Sequence, residues 1–144
     1  MTVDSISGKG AIAHLSGESL TTQIVMKGHE LIGDEPPSSG GHDKGPAPRQ
    51  MLAASIAMCQ VMTARLYASR KGWNLEGISV QVDYRKEEES SAEGAKVPLH
   101  FFDCLLEVRG NLDDKQKQRL IEIAMRCPVS RVVREGAVVT ATLR

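Results

Sequence analysis

The feature of this sequence that most constrains the fold is a run of 15 residues between Arg49 and Arg65 without a charged side chain. Residues 50–71 place apolar side chains at helical spacing, and Gly72 follows where a helix stop is expected. Every face of the uncharged part is apolar or small, so the helix needs burial on all sides. One chain of 144 residues covers only part of such a helix. We therefore expect an obligate homodimer in which two copies of this helix pack centrally.

The segments on either side of this helix indicate an α+β fold rather than a doubly wound sheet. Short apolar runs before residue 33 are separated by turn signals, which predicts an antiparallel meander. The Pro- and Gly-rich stretch GDEPPSSGGHDKGPAP is long for a connection in a compact domain, so we expect it to be mobile or functional. The predicted single domain, residues 1–144, runs through N-terminal strands, this loop, the central helix, further strands, a second helical segment and a C-terminal strand: 1–32, 33–48, 49–72, 78–108, 113–134 and 137–143.

Local patterns predict where the later elements begin and end. Asp113 with Gln116 resembles a capping box at the start of the second helix. Pro128 ends that helix and is favoured at the first position of a short third helix. The charged stretch KEEESSAEGAK has no apolar anchor, so we expect it to be the solvated tip of a hairpin.

Composition excludes several classes of function. Lys and Arg total 18, Asp and Glu total 18, and no basic cluster appears, which argues against a nucleic-acid partner. The N-terminus lacks the basic and apolar regions of a signal peptide, and we expect no apolar run to approach the roughly 18 residues of a membrane span. Three cysteines do not make a disulfide framework. We therefore expect a cytoplasmic protein with no membrane partner.

The cysteines supply the candidate chemistry. Cys59 lies within the central helix and Cys127 ends the second helix, both on faces predicted to point inward, so the two could approach one another. Their wide separation fits neither a CxxC redox motif nor a zinc site, and spacing alone favours a small buried hydrophobe at each position over a functional pair. Cys127 precedes Pro128 and so lies near the positive end of the third helix. Cys59 lies roughly 15 Å from the start of its own helix, so a reactive Cys59 needs a cation from elsewhere. We expect Cys104 to be a packing residue.

Three segments resemble the OsmC/Ohr family, the osmotically inducible protein C and organic hydroperoxide resistance proteins. They are GHELIGDEPPSSGGHDKGPAP, the helix RQMLAASIAMCQVMTARLYASRKGW that continues into LEGISVQV, and IEIAMRCPVS. The resemblance spans about residues 28–140, and a CPVS segment with an upstream helical cysteine is fairly specific. It implies an intertwined α+β homodimer in which antiparallel strands from both chains wrap two central helices.

The same resemblance implies a cysteine-based thiol peroxidase that reduces organic or lipid hydroperoxides in oxidative-stress defence. Cys59 is then the peroxidatic cysteine, whose thiolate attacks the peroxide, releases an alcohol and becomes a sulfenic acid. Cys127 is the resolving cysteine, which condenses with it to a disulfide before oxidation becomes irreversible. A dithiol such as a lipoyl group, or a small thiol, resets the pair by exchange. No metal or bound cofactor is implied.

One part of the family's site is missing from its usual positions. The family carries a Glu nine or ten residues before the peroxidatic cysteine, paired with an Arg from the N-terminal segment. Here those positions hold Gln50 and Arg49, and residues 1–48 contain no Arg. In one hypothesis, Arg49 of the opposite subunit supplies the charge beside Cys59, and Gln50 orients the guanidinium. In the other, the pair is lost and Cys59 titrates as an ordinary buried thiol, which leaves a weak peroxidase or a binding module.

Other groups leave alternative functions open. His42 and Asp43 could contact a ligand, although a mobile polar loop is the simpler expectation, and the histidines have no metal-ligand spacing. A wall of methionines would suit varied apolar tails, although core packing is the default: Met51, Met58 and Met62. The alternatives to a peroxidase are a non-catalytic dimer that binds a small hydrophobic ligand at its interface pocket, and a purely structural dimer. Thiol reactivity of Cys59 discriminates between them.

Overall fold

An antiparallel meander opens the chain in the computed structural model, which describes residues 8–143. Its strands are β1 (Ala11–His14), β2 (Thr22–Met26) and β3 (His29–Gly33), hydrogen-bonded in that order. Gly28, with a φ of 80°, makes the tight turn between β2 and β3, a conformation that residues with a Cβ rarely adopt. The strands predicted between residues 8 and 32 are therefore present, and the first seven residues of that prediction lie outside the described chain.

The loop after β3 is organised by one buried carboxylate. Asp34 is 3% exposed and accepts four hydrogen bonds, one from a hydroxyl and three from backbone N–H groups, at 2.8–3.3 Å. The donors are Thr21 and the backbone nitrogens of Glu35, His42 and Lys44. Burial raises the pKa of this carboxyl, but the four donors outweigh burial and hold the pKa below its ordinary value. Composition suggested that residues 33–48 are mobile or functional, and the structure shows a loop held by local hydrogen bonds.

Helix α1 spans Pro48–Lys71, within one residue of the prediction at each end. Pro48 occupies the first position, where a missing N–H costs no hydrogen bond. Gly72, with a φ of 65°, follows the last turn. Helix α1 is long enough and apolar enough to cross a membrane, with a mean hydropathy of 1.3 over 18 residues. From the sequence we expected no segment of this kind. The core helix of a soluble protein can have the same length and composition.

The described chain forms two compact units that divide after Leu52, within α1. In the second unit α1 buries a single face, formed by Ile56, Gln60, Ala64 and Ala68. Apolar side chains on the other side are 55–57% exposed: Met58, Met62 and Leu66. A single chain therefore does not provide the burial on all sides that the composition of α1 favours.

A long antiparallel hairpin forms the sheet of the second unit. Its strands are β4 (Asn74–Ser90) and β5 (Lys96–Asn111). The charged stretch at residues 86–96, predicted to be a hairpin tip, is mostly strand, and the turn occupies residues 91–95. Oppositely charged side chains stabilise the strand ends across the hairpin, as between Lys96 Nζ and Glu88 Oε2 at 3.2 Å.

Helices α2 (Asp114–Ala124) and α3 (Pro128–Glu135) complete the second unit. The predicted capping box is present, because the side chain of Asp113 accepts from the N–H of Gln116 at 2.7 Å and the reciprocal bond is 2.9 Å. The core cluster of the unit consists of small and branched side chains from α1, α2 and the hairpin ends: Ala64, Ala68, Leu75, Leu112, Leu120 and Ala124.

The strand predicted at residues 137–143 does not form in the single chain. This segment has no regular secondary structure, and Val138, Val139 and Leu143 are 91–99% exposed. A strand needs a neighbouring backbone to satisfy its N–H and C=O groups. Neither sheet among residues 8–143 pairs with the segment. The alternation of apolar residues predicted a strand, but the single chain has no neighbouring strand for it to pair with.

Candidate active site

The structure brings Cys59 and Cys127 together from distant parts of the sequence. Cys59 is partly buried within α1, and Cys127 is fully buried at the N-cap of α3. The Cys127 thiol is near enough to affect the pKa of Cys59, and all three cysteines are free in the structure. The formation of a disulfide between Cys59 and Cys127 remains a prediction.

Burial and three neighbouring groups determine the acidity of Cys59. Burial has the largest effect and raises the pKa of the thiol, and the Cys127 thiol raises it further. The backbone N–H of Val129 and the hydroxyl of Thr63 lower the pKa through hydrogen bonds to the sulfur. The net pKa of Cys59 lies above that of an ordinary thiol.

The N-terminus of α3 faces both sulfurs. Val129 is the second residue of the helix, and its N–H lowers the pKa of Cys59. Ser130 is the third residue of the helix, and its N–H donates a hydrogen bond of 3.3 Å to Cys127 Sγ. These N–H groups belong to the first turn, where they have no acceptor within the helix and carry its partial positive charge. The sequence indicated this effect for Cys127, and the structure extends it to Cys59.

Behind Cys127 lies a buried polar network. The Cys127 thiol donates to Ser130 Oγ at 3.0 Å, and Gln60 Nε2 donates to the same oxygen at 3.1 Å. Gln60 Nε2 also lies 3.4 Å from Cys104 Sγ and 3.6 Å from Met125 Sδ. Gln60 has no exposed surface, and its Oε1 has no hydrogen-bond partner among the described residues. A buried unpaired carbonyl costs about 1–3 kcal/mol, so this position is destabilised relative to an apolar residue of the same size.

The other predicted site residues lie in the first unit. Arg49 and Gln50 are exposed at the start of α1. Gln50 Oε1 accepts a hydrogen bond of 2.8 Å from the N–H of Ala47, so this amide caps the helix. The contribution of Arg49 and Gln50 to Cys59 remains a prediction. The N–H of His42 is bonded to Asp34, and Asp43 has a φ of 55°, which is uncommon for a residue other than glycine.

Sequence reasoning missed four groups around the thiols: Gln60, Thr63, Val129 and Ser130. Two of them had a signal in the sequence. Ser130 stands three residues after Cys127, the spacing at which an N-cap side chain meets a backbone N–H. Gln60 is a polar residue four positions from Ile56 on a helix without charges, and a polar side chain on a buried face requires a partner. Among residues 8–143, no three His, Cys, Asp or Glu side chains gather as a metal site would require.

Comparison with known families gives the chain its relatives. A family model described as OsmC-like protein matches residues 41–142, which include Cys59 and Cys127. The chain belongs to the OsmC-like protein family. No curated protein matches the chain.

Solved structures of this family share the fold at low sequence identity. An OsmC-like protein from Mycoplasma pneumoniae superposes with a TM-score of 0.69 and 18% identity, over 87% of this chain and 86% of that chain. An organic hydroperoxide resistance protein OsmC from Legionella pneumophila gives 0.62 and 22%, over 86% and 87%. An organic hydroperoxide resistance protein from Elizabethkingia anophelis, with bound thiocyanate, gives 0.62 and 19%, over 87% and 86%. The α+β arrangement of antiparallel sheets and three helices is therefore that of OsmC-like proteins.

Proposed function

We propose that this OsmC-like protein is a cysteine-based hydroperoxide reductase that acts on organic or lipid hydroperoxides. The observation that carries the proposal is that Cys127, held at the N-terminus of α3, is near enough to Cys59 to affect its pKa. The names of the Legionella and Elizabethkingia neighbours, organic hydroperoxide resistance proteins, support the same reaction class.

The proposed reaction has three steps: reduction of the peroxide, formation of a disulfide, and reduction of that disulfide by a thiol. The Cys59 thiolate attacks the distal oxygen of ROOH, which carries the hydrogen; the O–O bond breaks, the alkoxide leaves and takes a proton as ROH, and Cys59 becomes a sulfenic acid. The Cys127 sulfur then attacks the Cys59 sulfur, the S–O bond breaks, and hydroxide leaves with the Cys127 proton as water. A dithiol such as a lipoyl group, or a small thiol, then reduces the disulfide by two thiol–disulfide exchanges and is itself oxidised to a disulfide. The reaction needs neither a metal nor a bound cofactor.

The donors at Cys59 support this chemistry. The N–H of Val129 and the hydroxyl of Thr63 stabilise the thiolate, while burial opposes it. Because the net pKa in the single chain is raised, full reactivity requires a further positive charge. Arg49 of the partner subunit is our proposed source, with Gln50 supporting its guanidinium.

A homodimer is part of the proposal. The exposed stripe of Met58, Met62 and Leu66 on α1 is suited to pack against a second copy. The exposed segment at residues 137–143 is suited to pair with a strand of the partner. Such a pairing would satisfy the backbone groups of the strand that the sequence predicted. We place the dimer in the cytoplasm, where the thiols stay reduced.

The test is consumption of cumene hydroperoxide by the reduced protein with a dithiol present. We expect rapid turnover that Cys59→Ser abolishes, whereas Cys127→Ser reacts once and then stops or becomes over-oxidised. Cys104→Ser is the matched control, because it removes the third thiol without removing either member of the pair. A wild-type rate no faster than that of a free thiol contradicts the proposal.

A second candidate function is the non-catalytic binding of a small hydrophobic ligand. The raised pKa of Cys59 favours it, because a thiol that stays protonated is a poor nucleophile. The first unit also contains a cavity of about 400 Å³ with a mainly apolar lining that includes Leu15, Ile24 and Met51. Slow peroxide chemistry together with saturable binding of an apolar dye would favour this function.

A further inference from the structure

The strongest feature outside the cysteine pair is the fully buried amide of Gln60. Its Nε2 donates to Ser130 Oγ at 3.1 Å, which is a normal hydrogen bond, while its other two neighbours are the weakly accepting sulfurs of Cys104 and Met125. The Oε1 of Gln60 has no partner within the described residues. An apolar residue of similar size would fill the site without that penalty, so stability does not account for an amide at this position.

Ser130 connects Gln60 to Cys127. Ser130 Oγ accepts a hydrogen bond of 3.0 Å from the Cys127 thiol, and the N–H of Ser130 donates one of 3.3 Å to Cys127 Sγ. Two hydrogen bonds from one residue therefore hold the sulfur. Because Gln60 lies on α1 directly after Cys59, the bond from Gln60 to Ser130 fixes the start of α3 against the helix that carries the other thiol.

We propose that Gln60, acting through the hydroxyl of Ser130, is a positioning residue for the attack of Cys127 on oxidised Cys59. This inference rests on the proposed hydroperoxide reductase function and concerns its second step. In that step the S–S bond forms, the S–O bond of the sulfenic acid breaks, and hydroxide leaves with the Cys127 proton as water. Once Cys127 Sγ has lost its proton, the hydroxyl of Ser130 can rotate and donate a hydrogen bond to that sulfur. Gln60 Nε2 meanwhile keeps Ser130 Oγ in place.

The experiment separates the two chemical steps in single-turnover reactions of the reduced full-length protein with cumene hydroperoxide. Trapping with dimedone followed by mass spectrometry measures sulfenic acid on Cys59. Acid quenching and alkylation measure the disulfide. For Gln60→Leu and for Ser130→Ala we expect disulfide closure to slow by about tenfold, because a thiol displaced from its attack position loses rate steeply. Formation of the sulfenic acid should change much less, so this acid accumulates.

The double variant provides the sharper test. If Gln60 acts through the Ser130 hydroxyl, the effects of Gln60→Leu and Ser130→Ala are not additive, and the double variant closes the disulfide no more slowly than either single variant. Cys104→Ala is the matched control, because it removes another neighbour of Gln60 and leaves the Ser130 contact intact. We expect it to close the disulfide at the wild-type rate.

Three outcomes would overturn the inference. Unchanged closure in Gln60→Leu excludes a positioning role, and additive effects in the double variant exclude action through Ser130. Equal slowing of both steps in Gln60→Leu and in Cys104→Ala indicates a general packing role. Absence of sulfenic acid in the wild type contradicts the proposed function itself and is distinguishable, because a failure of positioning alone leaves the first step intact.

Discussion

The N–H of Val129 offers the most direct test of the proposal that the N-terminus of α3 stabilises a Cys59 thiolate. This N–H has the largest lowering effect on the pKa of Cys59. In Val129→Pro the N–H is deleted, and the first turn of a helix tolerates proline. In Val129→Ala the side chain is shortened while the N–H is kept, so this variant is the matched control.

The expected magnitude follows from the bond that is lost. A hydrogen bond to a charged group contributes about 1.5–3 kcal/mol. Cys59 is partly exposed and sulfur accepts weakly, so the lower limit applies. The loss of the N–H should therefore raise the pKa of Cys59, and about 1.4 kcal/mol corresponds to a factor of ten in the equilibrium between thiol and thiolate. The thiolate fraction near neutral pH, and with it the rate of peroxide reduction, should fall about tenfold.

The assay is the pH dependence of alkylation by iodoacetamide, read at the Cys59 peptide by mass spectrometry. We expect the midpoint to move to higher pH in Val129→Pro and to stay in place in Val129→Ala. Circular dichroism checks that the helices remain. An unmoved midpoint in a folded Val129→Pro protein would refute the role of the α3 N-terminus.

Three further predictions concern the charge beside the thiol, the loop and the core. Arg49→Met should raise the pKa of Cys59 and slow peroxide reduction in the assembled protein, and an unchanged alkylation profile would rule out Arg49 as the missing cation. Asp34→Asn should lower the Tm at neutral pH. Because the folded pKa of Asp34 is depressed, its stabilisation is present above the unfolded pKa and is lost as pH falls through the folded pKa. The difference in Tm between the two proteins should therefore vanish in acid, and a constant difference would contradict this account. Leu120→Ala should cost about 3 kcal/mol in urea unfolding, because Leu120 is fully buried in the core cluster, and a cost below about 1 kcal/mol would mean that the site collapses without a cavity.

Most of the secondary structure could be predicted because its signals are local. Pro48, Gly72 and the pair Asp113 and Gln116 mark helix ends through their own backbone chemistry. The strand at residues 137–143 was predicted from the same kind of pattern and does not form in the single chain, because a strand also depends on a neighbour that alternation does not specify.

The candidate site divides in the same way. The sequence by itself determined which residues can carry chemistry: two cysteines on helices, a Pro128 that begins α3 beside Cys127, and the family to which the chain belongs. Only the tertiary structure decided that the first turn of α3 affects the pKa of Cys59 and that Gln60 meets Ser130. These contacts join residues about 70 positions apart. They depend on how α1 and α3 pack, and no local spacing records that packing.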